Sequence, residues 1–205
     1  MAERNQFPQR VTRSIQESIA AKERLRSSAE TVATIARVCE VLIDALRAGN
    51  KVLLFGNGGS AADAQHIAAE FVGRFAFNRP ALPALALSVN TSCVTAIGND
   101  YGFDVVFSRQ IEALGRAGDV AIGISTSGNS PNVLSAVSVG KKMGLHTVAF
   151  TGSRGGKLKD AVDHFICAPS NETPRIQECH ILVGHVIAEL VEQTIFHEQS
   201  RVSGS

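Results

Sequence analysis

The sequence has almost no net charge: 20 Lys and Arg against 19 Asp and Glu leave +1 over 205 residues. Such a balance gives no basic footprint for nucleic acid and no polybasic patch for a membrane surface. Long apolar runs are also lacking, since Gly, Ser or Asn break the longest ones well short of the ~20 residues a membrane helix needs. Residues 1–13 are polar, with no apolar core behind their charges, and so do not read as a signal peptide. There is no Trp, and aromatics make up 5%. The four cysteines, Cys39, Cys93, Cys167 and Cys179, form no C-x-x-C pair, and three of them sit in apolar runs. They read as free thiols of a reducing cytoplasm, without the local context of an activated thiolate. What the chain does have is a 44% hydrophobic fraction. That is enough for a packed core and too much for a disordered chain, and the length fits one domain.

Residues 5–48 read as helical. Val32, Ile35, Val38, Val41, Leu42, Ala45 and Leu46 recur at three- and four-residue intervals, and Gly49-Asn50 stops the pattern. Short apolar runs then follow at 51–55, 84–89, 119–125, 145–151 and 165–168, with helical patterns at 60–77, 131–143 and 173–196. Runs this short and this apolar fit strands buried on both faces of a parallel sheet. The alternation predicts an α/β fold: a doubly wound parallel sheet flanked by helices, with a long N-terminal helical region. Residues 1–200 form the one domain, and 201–205 are expected to be a disordered tail. In such folds the ligand lies beyond the C-terminal ends of the strands.

Two Gly- and Ser-rich loops fall there. Gly56-Asn57-Gly58-Gly59-Ser60 follows the first apolar run and opens a helix. It is neither G-x-G-x-x-G nor a Walker loop. Glycines there permit close backbone approach, and the helix N-terminus offers N–H groups to an anion. Ser125-Thr126-Ser127-Gly128-Asn129-Ser130 follows the third run and precedes Pro131, a residue suited to a first helical turn. Its hydroxyls and N–H groups would make a phosphate cradle, although turn and N-cap residues look the same in sequence. No Lys or Arg occurs between residues 52 and 73 or between 117 and 140. Helix dipoles and hydroxyls would therefore hold the phosphate, which suits a sugar phosphate monoester.

The stretch from Gly56 to His66 and the stretch from Ile124 to Ser130 resemble the sugar isomerase (SIS) domain. So do Val72-Gly73-Arg74-Phe75, Ala96-Ile97-Gly98-Asn99-Asp100 and Arg175-Ile176-Gln177-Glu178. More narrowly, the chain is similar to the phosphoheptose isomerases over about 20–196. The resemblance implies a cytoplasmic, homotetrameric enzyme with active sites built between subunits. It implies isomerisation of D-sedoheptulose 7-phosphate to D-glycero-D-manno-heptose 7-phosphate, feeding the heptose of lipopolysaccharide or another surface polysaccharide. It assigns substrate contacts to Asn57, Gly58, Gly59, Ser60, Asn99, Asp100, Ser125, Thr126, Ser127, Ser130 and Gln177, with Arg74 a further candidate.

Spacing alone puts His66 and Glu70 on one helix face, and Gln177 and His185, eight apart and ~80° apart around the axis, on neighbouring turns of the last helix. His180 shares that helix. The resemblance makes Glu70 and His185 the acid–base pair and makes His66, Glu70, Gln177 and His185 the ligands of a zinc ion. Gln is an uncommon zinc ligand. Other functions on the same domain are a sugar-phosphate sensor, an isomerase for another phosphosugar, and a DiaA-like protein that binds the replication initiator DnaA. The last lacks the acidic residue at the position of Glu70.

Overall fold

The computed structural model describes residues 6–202. Two helices open the chain, α1 (Phe7–Ser27) and α2 (Ala29–Arg47). They are not the single helix expected over 5–48. Ser28 leaves the helical conformation and caps α2, its hydroxyl accepting from the Thr31 N–H. The rest of the chain alternates: β1 (Val52–Gly56), α3 (Gly59–Val72), β2 (Ala84–Ala86), α4 (Thr91–Tyr101), α5 (Ser108–Leu114), β3 (Val120–Ile124), α6 (Pro131–Lys142), β4 (His146–Thr151), β5 (His164–Cys167) and α7 (Thr173–Val202). Short 3-10 turns precede α5 and β5.

The five strands are all parallel, in the order β2-β1-β3-β4-β5. This is the flavodoxin-like doubly wound order. Successive residues of β1 serve opposite faces. Val52 and Leu54 join a core with α1, α2, α3 and α7, whereas Leu53 and Phe55 join one with α5 and α6. Every residue of β1 and β3 is buried, as a strand covered on both faces requires. Asp119, 1% exposed, ties the start of β3 to β1: its carboxylate accepts from the Lys51 N–H at 3.0 Å and from Lys51 Nζ at 2.6 Å.

Several sequence boundaries move. The helix expected over 60–77 ends at Val72, and the strand expected over 84–89 covers Ala84–Ala86. The helices α4 and α5 were not foreseen. Arg201 and Val202 belong to α7 rather than to a tail, and residues 203–205 lie outside those described. Among the described residues, 173–196 is the one stretch long and apolar enough to cross a membrane by length and composition. Its apolar residues, including Ile176, Val183, Ile187 and Val191, instead fill the core. All four cysteines are free, and burial pushes the thiols of Cys39 (to about 11), Cys167 and Cys179 up, away from thiolate chemistry.

Candidate active site

Strands β1 and β3 are neighbours, yet α3 and α6, which follow them, lie on opposite faces of the sheet. The two Gly- and Ser-rich loops therefore meet at the topological switch point, where such sheets open a crevice. Neither helix start is capped by a side chain of its own N-cap residue, Gly58 or Ser130. Both leave N–H groups for an anion. Ser130 Oγ turns instead to Ser125 Oγ at 2.9 Å, and Ser125 Oγ lies 3.4 Å from Ser127 Oγ. Three hydroxyls thus converge at the head of α6. An amide clasp joins the two loops: Asn57 Nδ2 donates to Asn132 Oδ1 and Asn132 Nδ2 to Asn57 Oδ1, both at 2.9 Å, with Asn132 2% exposed.

The second loop leans on the segment after β4. Gly128 adopts φ +66, and a Cβ there would run into the Gly155 carbonyl, so the two backbones touch directly. A cavity of about 290 Å³ opens between them, lined among others by Thr126, Ser127, Asn129, Arg154, Asn171 and Thr173. The expectation that no cation stands near the hydroxyls holds only along the sequence. The fold carries Arg154 to the same cavity from the loop after β4.

The residues expected to form the acid–base pair lie on two helices, Glu70 on α3 and His185 on α7. Gly184 lets α7 approach α3 closely, since a Cβ there would lie 2.5 Å from Ile67 Cδ1. This brings together residues 119 apart. His66 Nε2 is 3.1 Å from His185 Nε2 and 3.1 Å from Glu70 Oε1, and the two rings are 5.0 Å apart. The ligand atoms of His66, Glu70 and His185 all lie within 4.8 Å of one another. Tetrahedral zinc with bonds of ~2.1 Å needs its ligand atoms ~3.4 Å apart, so two imidazoles and a carboxylate at these distances suit it. His66 and Glu70 keep 51% and 23% of their side chains exposed, which leaves a coordination position open to solvent or substrate. Gln177 lies elsewhere. Its amide packs on Gly59, seven residues and ~10 Å of helix axis before His66. Asp63, one turn before His66, has a buried unpartnered Oδ2, and burial pushes its carboxyl up to about 6 against the pull of His66.

Other expected contacts are dispersed. Arg74 is exposed on the loop after α3, its Nη1 3.5 Å from the Ala76 carbonyl. Asn99 and Asp100 are exposed at the end of α4 and bonded to each other at 2.8 Å. Asn132, Arg154, Arg79 and Glu192 were missed. Of these, Glu192 alone carries a trace in sequence, standing seven residues, two turns, beyond His185.

The SIS domain family matches residues 16–152 of this chain. The chain is 51% identical over 189 residues to the phosphoheptose isomerase of Burkholderia pseudomallei (strain K96243), covering 92% of this chain and 96% of that one. It is 54% identical over 185 residues to that of Aneurinibacillus thermoaerophilus, covering 90% and 93%. Its fold is similar to that of phosphoheptose isomerase GmhA from Neisseria gonorrhoeae, with a TM-score of 0.86 at 45% identity over 91% of this chain and 99% of that one. The phosphoheptose isomerase from Francisella tularensis gives 0.87 at 34% identity over 91% and 98%. With the two Gly- and Ser-rich loops at the switch point, the His–Glu–His cluster on α3 and α7 and these similarities, the chain belongs to the phosphoheptose isomerases of the SIS domain family.

Proposed function

We propose that the protein interconverts D-sedoheptulose 7-phosphate and D-glycero-D-manno-heptose 7-phosphate in the cytoplasm, as an early step toward the heptose of a surface polysaccharide. The observation that carries this reading is the His66–Glu70–His185 cluster, built from α3, which starts at the first Gly-rich loop, and from α7. The hydroxyls of Ser125, Ser127 and Ser130 and the N-termini of α3 and α6 receive the phosphate, with Ser60, Thr126 and the backbone of Asn57, Gly58 and Gly59 around it. Glu70 takes a proton from C1 of the ketose while protonated His185 gives one to the carbonyl oxygen at C2, giving the enediol. His185 then takes the proton from the oxygen at C1 as Glu70 returns its proton to C2, so both residues end as they began. A carboxylate suits the first task as a positioned base and an imidazole the second, because its two nitrogens can give and take a proton. Zinc, when bound by His66, Glu70 and His185, would polarise the carbonyl and hold the diol. Turnover of sedoheptulose 7-phosphate, followed before and after chelation and after zinc is returned, tests both parts. Loss on chelation and recovery with zinc is the expected result. No turnover in the zinc-loaded protein refutes the reaction, and full turnover in metal-free protein refutes the zinc.

Ser60 and Glu70 stand ten residues apart, ~15 Å along the axis of α3. A heptulose phosphate built on bonds of ~1.5 Å spans only ~10 Å from phosphorus to C1. The mismatch supports sites shared between copies, with the loops from one and the cluster, or Gln177, from another. The chain also shows an apolar row on the outside of α1, where Phe7, Val11, Ile15 and Ile19 are 52–59% exposed, as in a surface covered by self-association into a tetramer. Glu70→Gln and Ser125→Ala/Ser127→Ala chains, each inactive alone, are expected to regain activity when denatured together and refolded as mixed assemblies. A mixture no more active than its parts would mean that each chain builds its own site.

A further inference from the structure

Below the acid–base cluster lies an ion pair that no step of the reaction uses. Arg79 and Glu192 have side chains only 2% and 1% exposed, with Arg79 Nε 2.9 Å from Glu192 Oε2. A buried pair of this kind is costly unless its remaining hydrogen-bonding capacity is met. Here it is met by the backbone at the end of α3 and by the loop that follows. The Glu192 carboxylate accepts from the N–H groups of Phe75 at 2.8 Å, Ala76 at 2.7 Å and Phe77 at 3.4 Å. Arg79 donates through Nη2 to the Glu70 carbonyl at 2.7 Å and through Nη1 to the carbonyls of Phe71 at 2.6 Å and Pro80 at 3.0 Å. The guanidinium also lies 5.6 Å from the centre of the Phe196 ring.

Each half of this pair reaches one member of the acid–base pair. Arg79 holds the backbone of Glu70 itself, at a helix terminus where carbonyls have no intrahelical partner and a cation complements the helix dipole. Glu192 stands two turns beyond His185 on α7 and fixes the N–H of Phe75, and the Phe75 ring lies against the His185 ring with centroids 5.9 Å apart. The guanidinium and carboxylate therefore couple the end of α3, the loop at 73–79 and α7 into one rigid piece, with Glu70 and His185 on its surface.

We infer that Arg79 and Glu192 are positioning residues that set the relative placement of Glu70 and His185, with Phe75 as the spacer against the imidazole. The inference rests on the assignment of Glu70 and His185 as the acid–base pair. Proton transfer depends steeply on placement, and outer-shell partners of metal ligands typically carry 10- to 100-fold in activity or metal affinity. Neither Arg79 nor Glu192 bonds to the loops proposed to hold the phosphate, so substrate capture is not touched.

The test compares the zinc-loaded wild type with Glu192→Gln, Arg79→Lys and Phe75→Ala. Kinetics use sedoheptulose 7-phosphate, zinc affinity is read by competition with a chromogenic chelator, and thermal unfolding confirms that each variant is folded at the assay temperature. Gln at 192 keeps an acceptor for the loop but not the charge, and Lys at 79 keeps the charge but not the planar fork. Both are expected to lower kcat by about 10- to 100-fold and to weaken zinc binding to a similar degree, with KM within about threefold of wild type. Phe75→Ala leaves the ion pair and its backbone bonds intact, so it remains informative if the other two do not fold. Its expected loss is about tenfold in kcat, again at constant KM. Folded variants with wild-type kcat and zinc affinity, or Phe75→Ala with wild-type kcat, would overturn the inference. A Glu70→Gln control that retains turnover would instead overturn the assignment on which it rests.

Discussion

Glu70→Gln is expected to lower kcat by about 10²- to 10⁴-fold, the range that a positioned acid or base contributes. Gln has nearly the same shape as Glu, and the residue sits in the last turn of α3 with 23% of its side chain exposed. The backbone bond from Arg79 to the residue-70 carbonyl does not depend on the side chain. Stability should therefore move by no more than about 0.5 kcal/mol, as for surface substitutions away from special features. What is lost is chemical. An amide cannot accept the carbon-bound proton, and it removes the charged partner 3.1 Å from His66 Nε2. KM should change little, because the groups proposed to hold the phosphate are loop hydroxyls and helix N-termini, not the Glu70 side chain. Steady-state kinetics beside a thermal melt separates these effects. A variant with kcat within threefold of wild type would remove Glu70 from the reaction, whereas a low kcat with a collapsed melting transition would mean only that the protein had unfolded.

The same residues show where the sequence was readable and where it was not. The strands were legible because burial on both faces makes β1, β3 and β4 nearly uninterrupted apolar runs. The break at Ser28 was not, since a serine N-cap inside a periodic pattern looks like a solvated helix position. The helix expected to reach residue 77 shows the competing force directly. Phe75 stands four residues after Phe71 and so continues the helical spacing, but the Glu192 carboxylate takes the N–H groups of residues 75–77, and the backbone leaves the helix after Val72. α4 was hard to read because none of its residues is fully buried and only Val94 and Ile97 pack against the core, and α5 has only seven residues. The two loops at the switch point were legible from their density of Gly and Ser, and the shared helix face of His66 and Glu70 from their spacing. His185 was reachable only through resemblance, because its contact with His66 spans 119 residues. Nothing local marks Arg154 or Asn132, whose roles arise from loops that meet only in the folded sheet.

His180 carries the largest effect expected outside the site, and its sign follows from its surroundings. The ring is 1% exposed, lies 5.8 Å from the Phe150 ring and bonds through Nε2 to the Thr151 carbonyl at 3.0 Å. That carbonyl can only accept, so Nε2 carries the proton and Nδ1, buried without a partner, is the bare nitrogen. Burial pulls the imidazole down to about 4 from the ordinary 6.5, against a smaller opposing pull from the Thr151 carbonyl. The unfolded chain binds a proton near pH 6.5 that the folded chain refuses until about pH 4. The stability His180 confers as a neutral ring is thus fully present above about pH 6.5 and is lost as pH falls to about 4, by about 3 kcal/mol in all at 1.4 kcal/mol per unit. Asp63 works in the opposite direction. Its carboxyl, raised to about 6, takes up a proton in the folded state before the unfolded one does, so the fold gains stability as pH falls from about 6 to 3.8. It is only half-buried, and solvent screening makes its gain the smaller of the two. The wild type should therefore lose a net fraction of the 3 kcal/mol between pH 6.5 and 4. His180→Gln, whose amide can still donate to the Thr151 carbonyl, should lose much less over the same interval, with Asp63 then offset only by Glu192 and Asp163, whose carboxyls are held below their ordinary values. Denaturant midpoints at fixed protein concentration, with chelator present to remove any metal linkage, report the difference. Wild-type and variant curves that run parallel from pH 6.5 to 4 would show that His180 is not the group that makes the fold acid-labile.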